Sequence, residues 1–318
     1  MHTVAVLALD QVIAFDFVTP MEVFSLTRLP DGRPGYRVIV CAATPEVESA
    51  LFGIRAPYGL DALEQADTVI VPGTLEFTAP VPDEIVDALR KAAANGTRIA
   101  SICAGALVLA ETGLLDGLRA TTHWLAADRL AELHPDIDVD PNVLYVDNGQ
   151  ILTSAGAAAG LDLCLHMVRR DYGSAVAADT ARLAVVPLER EGGQAQFIVH
   201  EKPPAPAGST MEPLLRWMED NCGRDLSLDD IAAKAGMSTR TLNRRFREQT
   251  GTTPLQWLQR MRVRRAQYLL ESTTHSVERI AVQAGFGSPT AFRDRFKRTV
   301  GVSPQAYRRS FRAPEPVG

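Results

Sequence analysis

Short apolar runs alternate with helix-like segments over about the first 170 residues of the chain. The runs are typical of buried strands and lie at residues 3–9, 36–42, 68–73, 98–103 and 150–156. Helical patterns separate them, such as "DEIVDALRKAAANG", which begins with acidic residues and ends at Gly96. Asn148 and Gly149 predict a tight hairpin before the last run, and the helix "GLDLCLHMVRRDYG" follows it. This alternation predicts an α/β fold, with a mostly parallel sheet covered by helices on both faces.

Beyond residue 210 the pattern becomes wholly helical and contains an internal repeat. "IAAKAGMSTRTLNRRFREQTGTTP" starts at Ile231, and "IAVQAGFGSPTAFRDRFKRTVGVSP" starts at Ile280. Each copy predicts a helix, a tight turn and a second helix, at about residues 228–249 and 277–299. One long amphipathic segment, "PLQWLQRMRVRRAQYLLES", joins the two copies. The chain therefore ends in an all-α domain of two helix-turn-helix units.

Local signals define the ends and the faces of these helices. Ser227 with Asp230 predicts a capping box, while Ser238 and Ser288 predict N-caps for the second helix of each copy. The apolar residues spaced to face the core are Leu242, Phe246, Phe292 and Phe296. The polar residues predicted to face outward are Arg240, Asn243, Arg244, Arg247, Thr290, Arg293 and Lys297. The second helix of each copy therefore presents a basic face to solvent.

Charge divides the chain at the same place. Residues 211–312 hold 19 Lys and Arg against 10 Asp and Glu, whereas residues 1–210 hold 14 against 27. A basic helix-turn-helix domain indicates double-stranded DNA as partner, with the second helix in the major groove. Arg240 and Arg244 are one helical turn apart, and a guanidinium group can bond guanine O6 and N7 together. A helical bundle with a solvated basic face is the alternative.

The two copies, the joining helix and the ending Gly-x-Ser-Pro-x-x-Tyr-Arg-Arg from Gly301 resemble the AraC/XylS family of bacterial transcription regulators. The resemblance implies two recognition helices per monomer, which enter successive major grooves about 34 Å apart, and RNA polymerase as a further partner. It places base-reading positions at Arg240 and Arg244, with Thr290 and Asp294 at the matching offsets. Asp294 departs from the family because a carboxylate near phosphates is unfavourable, so we expect the first copy to be the specific reader.

The N-terminal part resembles the DJ-1/PfpI group of the class I glutamine amidotransferase-like superfamily. The similarity lies in "FDFVTPMEVF", "VPGT", "SICAGALVLAETGLL", "ATTHW" and "DNGQILTSAG". It implies a flavodoxin-like sheet, with Cys103 at a nucleophile elbow beside His123 and Asp16, and an oxyanion hole formed by the N–H groups of Thr74 and Ala104. A helix N-terminus and a nearby histidine are expected to stabilise a thiolate.

The fusion of the two parts resembles the GlxA-type subgroup of AraC regulators, whose N-terminal domain is regarded as a ligand-binding or dimerisation module without established catalysis. We expect a sensor or dimerisation domain at 1–190, a linker at 191–210, a DNA-binding domain at 211–312 and a disordered tail at 313–318. The expected function is sequence-specific transcription regulation by a homodimer. A small-molecule effector would bind a pocket lined by Asp16, Thr74, Cys103, Ala104 and His123.

Three roles stay open for the Cys103 cluster. It is a non-catalytic pocket, a redox or electrophile sensor, or the site of an amidase or hydratase that uses Cys103, His123 and Asp16. A buried cysteine can also be no more than a small apolar side chain.

Composition argues against several other classes of protein. Cys41, Cys103, Cys164 and Cys222 lie far apart, so neither a zinc site nor a disulfide framework is indicated, and we expect no metal or other cofactor. No apolar stretch approaches the roughly 18 residues of a membrane span, and we expect no signal peptide because the first apolar run is too short for one. We therefore expect a cytoplasmic protein without a membrane partner.

Overall fold

The computed structural model describes residues 1–77, 79–190, 192–198 and 211–311. The predicted tail at 313–318 and most of the predicted linker, residues 191 and 199–210, lie outside the described residues. The chain divides into two compact units, Met1–Gln194 and Ala195–Gly318. No helix in the described ranges is both long and apolar enough to cross a membrane.

The first unit is built on a six-stranded sheet. The strands of this unit are β1 His2–Leu7, β2 Tyr36–Cys41, β3 Glu46–Glu48, β4 Gly53–Arg55, β5 Thr68–Val71, β6 Arg98–Ile102, β7 Arg119–Ala120, β8 Asp138–Val139, β9 Tyr145–Asp147 and β10 Ile151–Ser154. The main sheet has the order β2-β1-β5-β6-β10-β9, and its first five strands are parallel. β9 is antiparallel to β10 across the hairpin at Gly149, whose φ is +90°. The predicted, mostly parallel sheet and its hairpin are confirmed.

The described residues of this unit form five α-helices and a 3-10 helix at Leu60–Gln65. The α-helices are α1 Ala14–Leu26, α2 Asp83–Ala94, α3 Gly105–Ala110, α4 Trp124–Leu133 and α5 Ala158–Leu183, the last broken at Gly173. α1 packs on α5, and α2 packs on α3. Strands β1 and β5 are buried along nearly their whole length, as expected for strands covered on both faces. The five parallel strands follow the flavodoxin-like order, in which the direction of winding reverses between β1 and β5.

The second unit is helical throughout its described residues apart from turns. Its α-helices are α6 Glu212–Asp220, α7 Leu228–Lys234, α8 Thr239–Thr250, α9 Pro254–Ser272, α10 Val277–Gln283, α11 Pro289–Val300 and α12 Pro304–Phe311. The capping box of Ser227 and Asp230 is present, and Ser238 and Ser288 cap α8 and α11 as predicted. Helices α7 and α8 form the first copy of the repeat, and helices α10 and α11 form the second.

Each copy has its own apolar core, and α9 contributes to both. Its first half supplies Trp257, Leu258 and Met261 to the core around Phe246, and its second half supplies Val263, Ala266 and Leu270 to the core around Phe296. A small number of residues in a long shared helix therefore connect two separate hydrophobic clusters.

Arg262 lies on α9 at the boundary between these two cores and is only 6% exposed. Its guanidinium group donates to the carbonyl oxygens of Cys222, at 3.0 Å, and Arg224, at 2.8 Å, both of which precede the first copy. A Cβ atom on Gly285, at the end of α10, would lie 2.4 Å from the Cys222 oxygen and 2.9 Å from Arg262 Nε. We call this contact of Arg262, Gly285 and residues 222–224 the joint, because it brings the second copy into contact with the segment that precedes the first copy.

Candidate functional site

Helix α8 carries the outer face that the repeat predicted. Leu242 and Phe246 are fully buried, which turns Arg240, Arg244 and Arg247 toward solvent. Asn243 is half-buried, and its amide donates to the Thr239 carbonyl at 3.1 Å. Glu248 lies 3.5 Å from Arg244 in an exposed i,i+4 pair, an arrangement that stabilises a helix only slightly. The guanidinium groups of this face are therefore available to an incoming anion or base.

Helix α11 carries the matching face of the second copy. Phe292 and Phe296 are fully buried, while Thr290, Asp294 and Lys297 are exposed. Arg293 is also exposed, but its side chain pairs with Glu278 of α10. The face of α11 thus holds one carboxylate and one paired arginine, and it is less cationic than the face of α8.

Cys103 lies at a tight turn between β6 and α3. Its φ is +57°, a left-handed conformation that is rare for residues other than glycine and is typical of a nucleophile elbow. The turn is held by the Cys103 N–H, which donates to Ser154 O at 3.1 Å, and by the Thr122 hydroxyl, which donates to Cys103 O at 2.7 Å. Gly105 is required for this packing, because a Cβ atom there would lie 2.2 Å from Val71 O.

Four of the five predicted pocket residues lie together around this turn. A Cβ atom on Gly156 would lie 2.4 Å from His123 Cδ2 and 2.9 Å from Cys103 Sγ, so both side chains converge on that glycine. A Cβ atom on Gly73 would lie 2.9 Å from Asp16 Oδ2 and 3.0 Å from Ala104 N. We call Asp16, Cys103, Ala104 and His123 the cysteine cluster. Thr74, the fifth residue, directly follows Gly73 and lines a cavity at the same carboxyl edge of the sheet.

Burial decides the electrostatics of the cysteine cluster. The Cys103 side chain is only 7% exposed, and burial together with the nearby Asp16 carboxyl group raises its pKa far above the ordinary value. Burial also raises the pKa of Asp16 and lowers the pKa of His123. His123 Nδ1 accepts from the Leu125 N–H at 3.3 Å and caps α4. The expectation of a stabilised thiolate is therefore wrong, because burial outweighs the six-residue helix α3 and a neutral imidazole.

Gln194, which the sequence assigned to a linker, connects the end of the first unit to the cysteine cluster by hydrogen bonds. Gln194 is 4% exposed, and its amide donates to Thr122 O at 2.9 Å and to Thr121 Oγ1 at 3.1 Å. Thr122 in turn donates to the Cys103 carbonyl. Arg190 binds the buried carboxylate of Asp162 through both its Nε and Nη2 atoms. Arg190 and Gln194 are thus anchored, although the sequence predicted a linker from residue 191 onward.

Comparison with known proteins agrees with this architecture. Residues 2–170 match the DJ-1/PfpI family, and residues 231–310 match a helix-turn-helix domain family. The chain therefore belongs to the transcriptional regulators that join a DJ-1/PfpI domain to an AraC-type helix-turn-helix domain. Within that family it is 34% identical over 227 residues to the HTH-type transcriptional regulator GlxA of Rhizobium meliloti, a match that covers 70% of this chain and 68% of that protein.

A further relative supports the same assignment, and a solved structure shares the fold. The HTH-type transcriptional regulator CdhR of Pseudomonas aeruginosa is 28% identical over 269 residues, which cover 85% of this chain and 80% of that one. The crystal structure of an AraC family transcriptional regulator from Pseudomonas putida aligns with a TM-score of 0.53 at 23% identity, over 58% of this chain and 100% of that chain, which shows a shared fold. The predicted α/β and helix-turn-helix folds and the DNA-binding regulator function are confirmed, and double-stranded DNA is the partner.

Proposed function

We propose that the N-terminal unit is a non-catalytic sensor whose state controls DNA binding through the chain at Gln194. The observation that carries this proposal is the hydrogen-bonded path from Cys103 O through Thr122 to Gln194. Any rearrangement of the cysteine cluster moves Thr122, and Thr122 holds the last residue of the first unit. A change at the N-terminal unit is thereby converted into a change in the segment that leads to the DNA-binding unit.

The Gln194→Ala variant tests this path. It leaves the Thr122 carbonyl and the Thr121 hydroxyl without their buried partner, which costs about 1–3 kcal/mol locally. We expect faster hydrogen exchange at residues 121–123, 186–190 and 192–194. We also expect reporter output to change by roughly threefold or more, which corresponds to a free-energy change of about 0.65 kcal/mol. The reporter carries a site selected from random duplex DNA by the purified chain.

Gln150→Ala is the matched control for that variant. Gln150 also donates its amide to two backbone carbonyls, of Ala93 and Thr97, but it is remote from the cysteine cluster in its contacts. It is expected to destabilise the same unit without changing reporter output. Equal output from wild type, Gln194→Ala and Gln150→Ala would contradict control through Gln194.

We further propose which residues contact DNA and how the protein is organised. The first helix-turn-helix reads bases through Arg240 and Arg244, with Asn243 and Arg247 beside them. The second contributes Thr290, Arg293 and Lys297. The exposed basic faces of α8 and α11 support this assignment. The chain would act in the cytoplasm as a homodimer formed by its N-terminal units, respond to a small effector and act on RNA polymerase.

One observation favours a second function, reaction at the Cys103 thiol. Its left-handed backbone, φ +57°, is the strained geometry in which the superfamily holds a nucleophile. Against it stand the burial of the thiol and its raised pKa, because the thiolate is the reactive form. A sensor or enzyme based on Cys103 would first have to open this cluster.

Alkylation of the native chain separates the two functions. We expect iodoacetamide at pH 8 to leave Cys103 unmodified, as measured by peptide mass spectrometry, since the pKa of the thiol lies well above that pH. The same chain unfolded in guanidinium chloride provides the control, in which all four cysteines react. Rapid, selective modification of Cys103 in the folded protein would overturn the non-catalytic assignment and favour the thiol function.

A further inference from the structure

A cavity of about 460 Å³ lies beside β9 at the outer edge of the sheet, and its described lining includes no residue of the cysteine cluster. Its walls are residues 142–145, which lead into β9, the face of α5 between Asp162 and Arg169, and residues 188–190, 192 and 193. We call this last group of residues the strap, because it leads toward Gln194. The volume falls in the range of about 300–1,000 Å³ that is typical of ligand pockets. A ligand in this cavity would contact the chain that continues into Gln194.

Two contacts hold the strap in place. Arg190 binds the Asp162 carboxylate through Nε, at 3.0 Å from each oxygen, and also through Nη2, and the Asp162 side chain is only 5% exposed. Gly193 lies so close to the segment before β9 that a Cβ atom on it would be 1.9 Å from Asn142 O. The strap can therefore keep its course while a side chain at another position on it changes its contact.

Glu189 makes a weaker contact from the same strap. Its carboxylate pairs with Arg169 of α5, but the Glu189 side chain is 71% exposed. Water and salt compete with an exposed ion pair, so such a pair adds little to stability. Glu189 can therefore turn to solvent and free Arg169 at small cost. An anion that reaches the cavity competes only with this carboxylate of the protein itself.

The charges of the lining are balanced only while Glu189 pairs with Arg169. They are the guanidinium groups of Arg169 and Arg190 and the carboxylates of Asp162 and Glu189. His166 adds no cation, because its Nδ1 atom lies 3.3 Å from Arg169 Nη2, which can only donate. When Glu189 turns outward, the positive charge of Arg169 has no counterpart among the described residues. A ligand with one negative charge restores the balance, whereas a cation or a dianion does not.

Apolar side chains form much of the remaining wall. Leu165 is 1% exposed, and Leu144 and Leu188 are half-buried. A guanidinium group binds a carboxylate through two parallel hydrogen bonds, which fixes the orientation of the bound group as well as its charge. The lining thus combines one anchor for a carboxylate with a surface for a short hydrocarbon.

We propose that this cavity binds a small monocarboxylate with a short apolar body, whose carboxylate replaces Glu189 on Arg169. The apolar body covers Leu144, Leu165 and Leu188. This inference rests on the proposed function and adds a ligand class and a site to it. The site is separate from the cysteine cluster, so binding needs no reaction at a thiol.

A charge series on one hydrocarbon tests the ligand class in the full chain. Isothermal titration calorimetry compares 4-methylpentanoate, 4-methylpentanamide and 4-methylpentan-1-amine, which are anionic, neutral and cationic at pH 7. Hexanedioate, a dianion with a chain of similar length, completes the series. We expect the monocarboxylate to bind at least about tenfold more tightly than each of the other three, with the advantage shrinking as salt screens Arg169.

Substitution of the two partners of the ion pair is expected to have opposite effects. Arg169→Gln removes the anchor, so the monocarboxylate should bind no better than the amide. Glu189→Gln removes the internal competitor, so the affinity for the monocarboxylate should rise by about threefold or more above wild type. An ion pair with a purely structural role would not give this difference in sign, because loss of either partner would disturb the same contact.

Arg129 and Glu132 supply the matched control. They form an exposed ion pair on α4 of the same unit, and neither lines the cavity. Arg129→Gln and Glu132→Gln repeat the two charge changes outside the cavity. Both control variants are expected to bind the monocarboxylate as wild type does. Thermal melting of all four variants shows whether each is folded, and Glu189→Gln alone still tests the site if Arg169→Gln is not.

Four results would overturn the carboxylate site. They are no binding of the monocarboxylate at millimolar concentration, equal binding of acid and amide by wild type, an unchanged preference in Arg169→Gln, and an affinity that does not rise in Glu189→Gln. Fluorescence anisotropy on the selected DNA duplex tests the sensing function separately. If the monocarboxylate binds through Arg169 and DNA affinity stays constant, the site stands and sensing through the strap fails. If Gln194→Ala changes reporter output and the monocarboxylate does not bind, the path stands and the site fails.

Discussion

Simultaneous replacement of Arg240 and Arg244 by alanine is expected to abolish the preference of the chain for its selected DNA site. Both side chains are exposed on the outer face of α8, one helical turn apart, while Leu242 and Phe246 hold the opposite face in the core. A bidentate arginine–guanine contact contributes about 1–3 kcal/mol of discrimination, so each substitution is expected to cost that amount. Anisotropy with the selected duplex and with a scrambled duplex measures both the affinity and its sequence dependence.

Lys297→Ala is the informative control for the arginine pair. Lys297 is an exposed cation on α11, and we expect it to contact phosphates. Its loss should weaken binding to selected and scrambled duplexes alike, and should lower the slope of log affinity against log salt by about one. The arginine variant should melt at the wild-type temperature, because neither side chain is buried. If it keeps the preference for the selected duplex, α8 is not the base-reading helix.

Phe296→Ala is expected to unfold the second helix-turn-helix while the first persists. Phe296 is fully buried in the cluster that also contains Phe292 and Tyr307, and truncation of a buried phenylalanine costs about 3–5 kcal/mol. A hydrophobic core of this small size makes its helices only marginally stable. Hydrogen exchange of the full chain, read by mass spectrometry, should show lost protection in α10 to α12, while α7 and α8 remain protected.

Phe246→Ala provides the reciprocal measurement, because Phe246 occupies the equivalent position in the first core. It should expose α7 and α8 and leave α10 to α12 protected. Loss of protection spread evenly over all the helices from α6 to α12 in either variant would contradict two separate cores. It would show that the joint around Arg262 makes the whole unit fold and unfold together.

The helical half of the protein could be predicted closely because its signals are local. Ser227 with Asp230, and Ser288 before Pro289, define helix starts within three or four residues of chain. The 3.6-residue period then assigns each side chain to the core or the surface. The α/β half was predictable at the level of strands and hairpin for the same reason, since Asn148-Gly149 and the buried apolar runs each carry their own signal.

The chemistry of the first unit could not be predicted in the same way. Cys103 is surrounded by residues far away in the chain, and its burial among them, which decides its pKa, has no local signal. Gln194 followed two glycines and suggested a linker, but it is buried because Thr121 and Thr122 offer it two acceptors. The cavity at the carboxyl edge of the sheet is lined by Asp10, Glu46 and Glu84 from three segments that share no motif, so only the folded sheet brings them together.

The joint has a consequence for the spacing between the two DNA segments that the recognition helices contact. Gly285 lies so close to Cys222 and Arg262 that even a methyl group does not fit, and Cys222 belongs to the first core. We therefore expect the two recognition helices to have little freedom to slide or rotate relative to each other. DNA offers equivalent groove positions only about every 10–10.5 base pairs, and insertion of one base pair rotates the second position by roughly 35°. Since the protein cannot follow that rotation, the duplex must twist or bend to supply it, at a cost that depends on its sequence. We therefore expect the base pairs between the two contacted segments to be selected for their number and their flexibility.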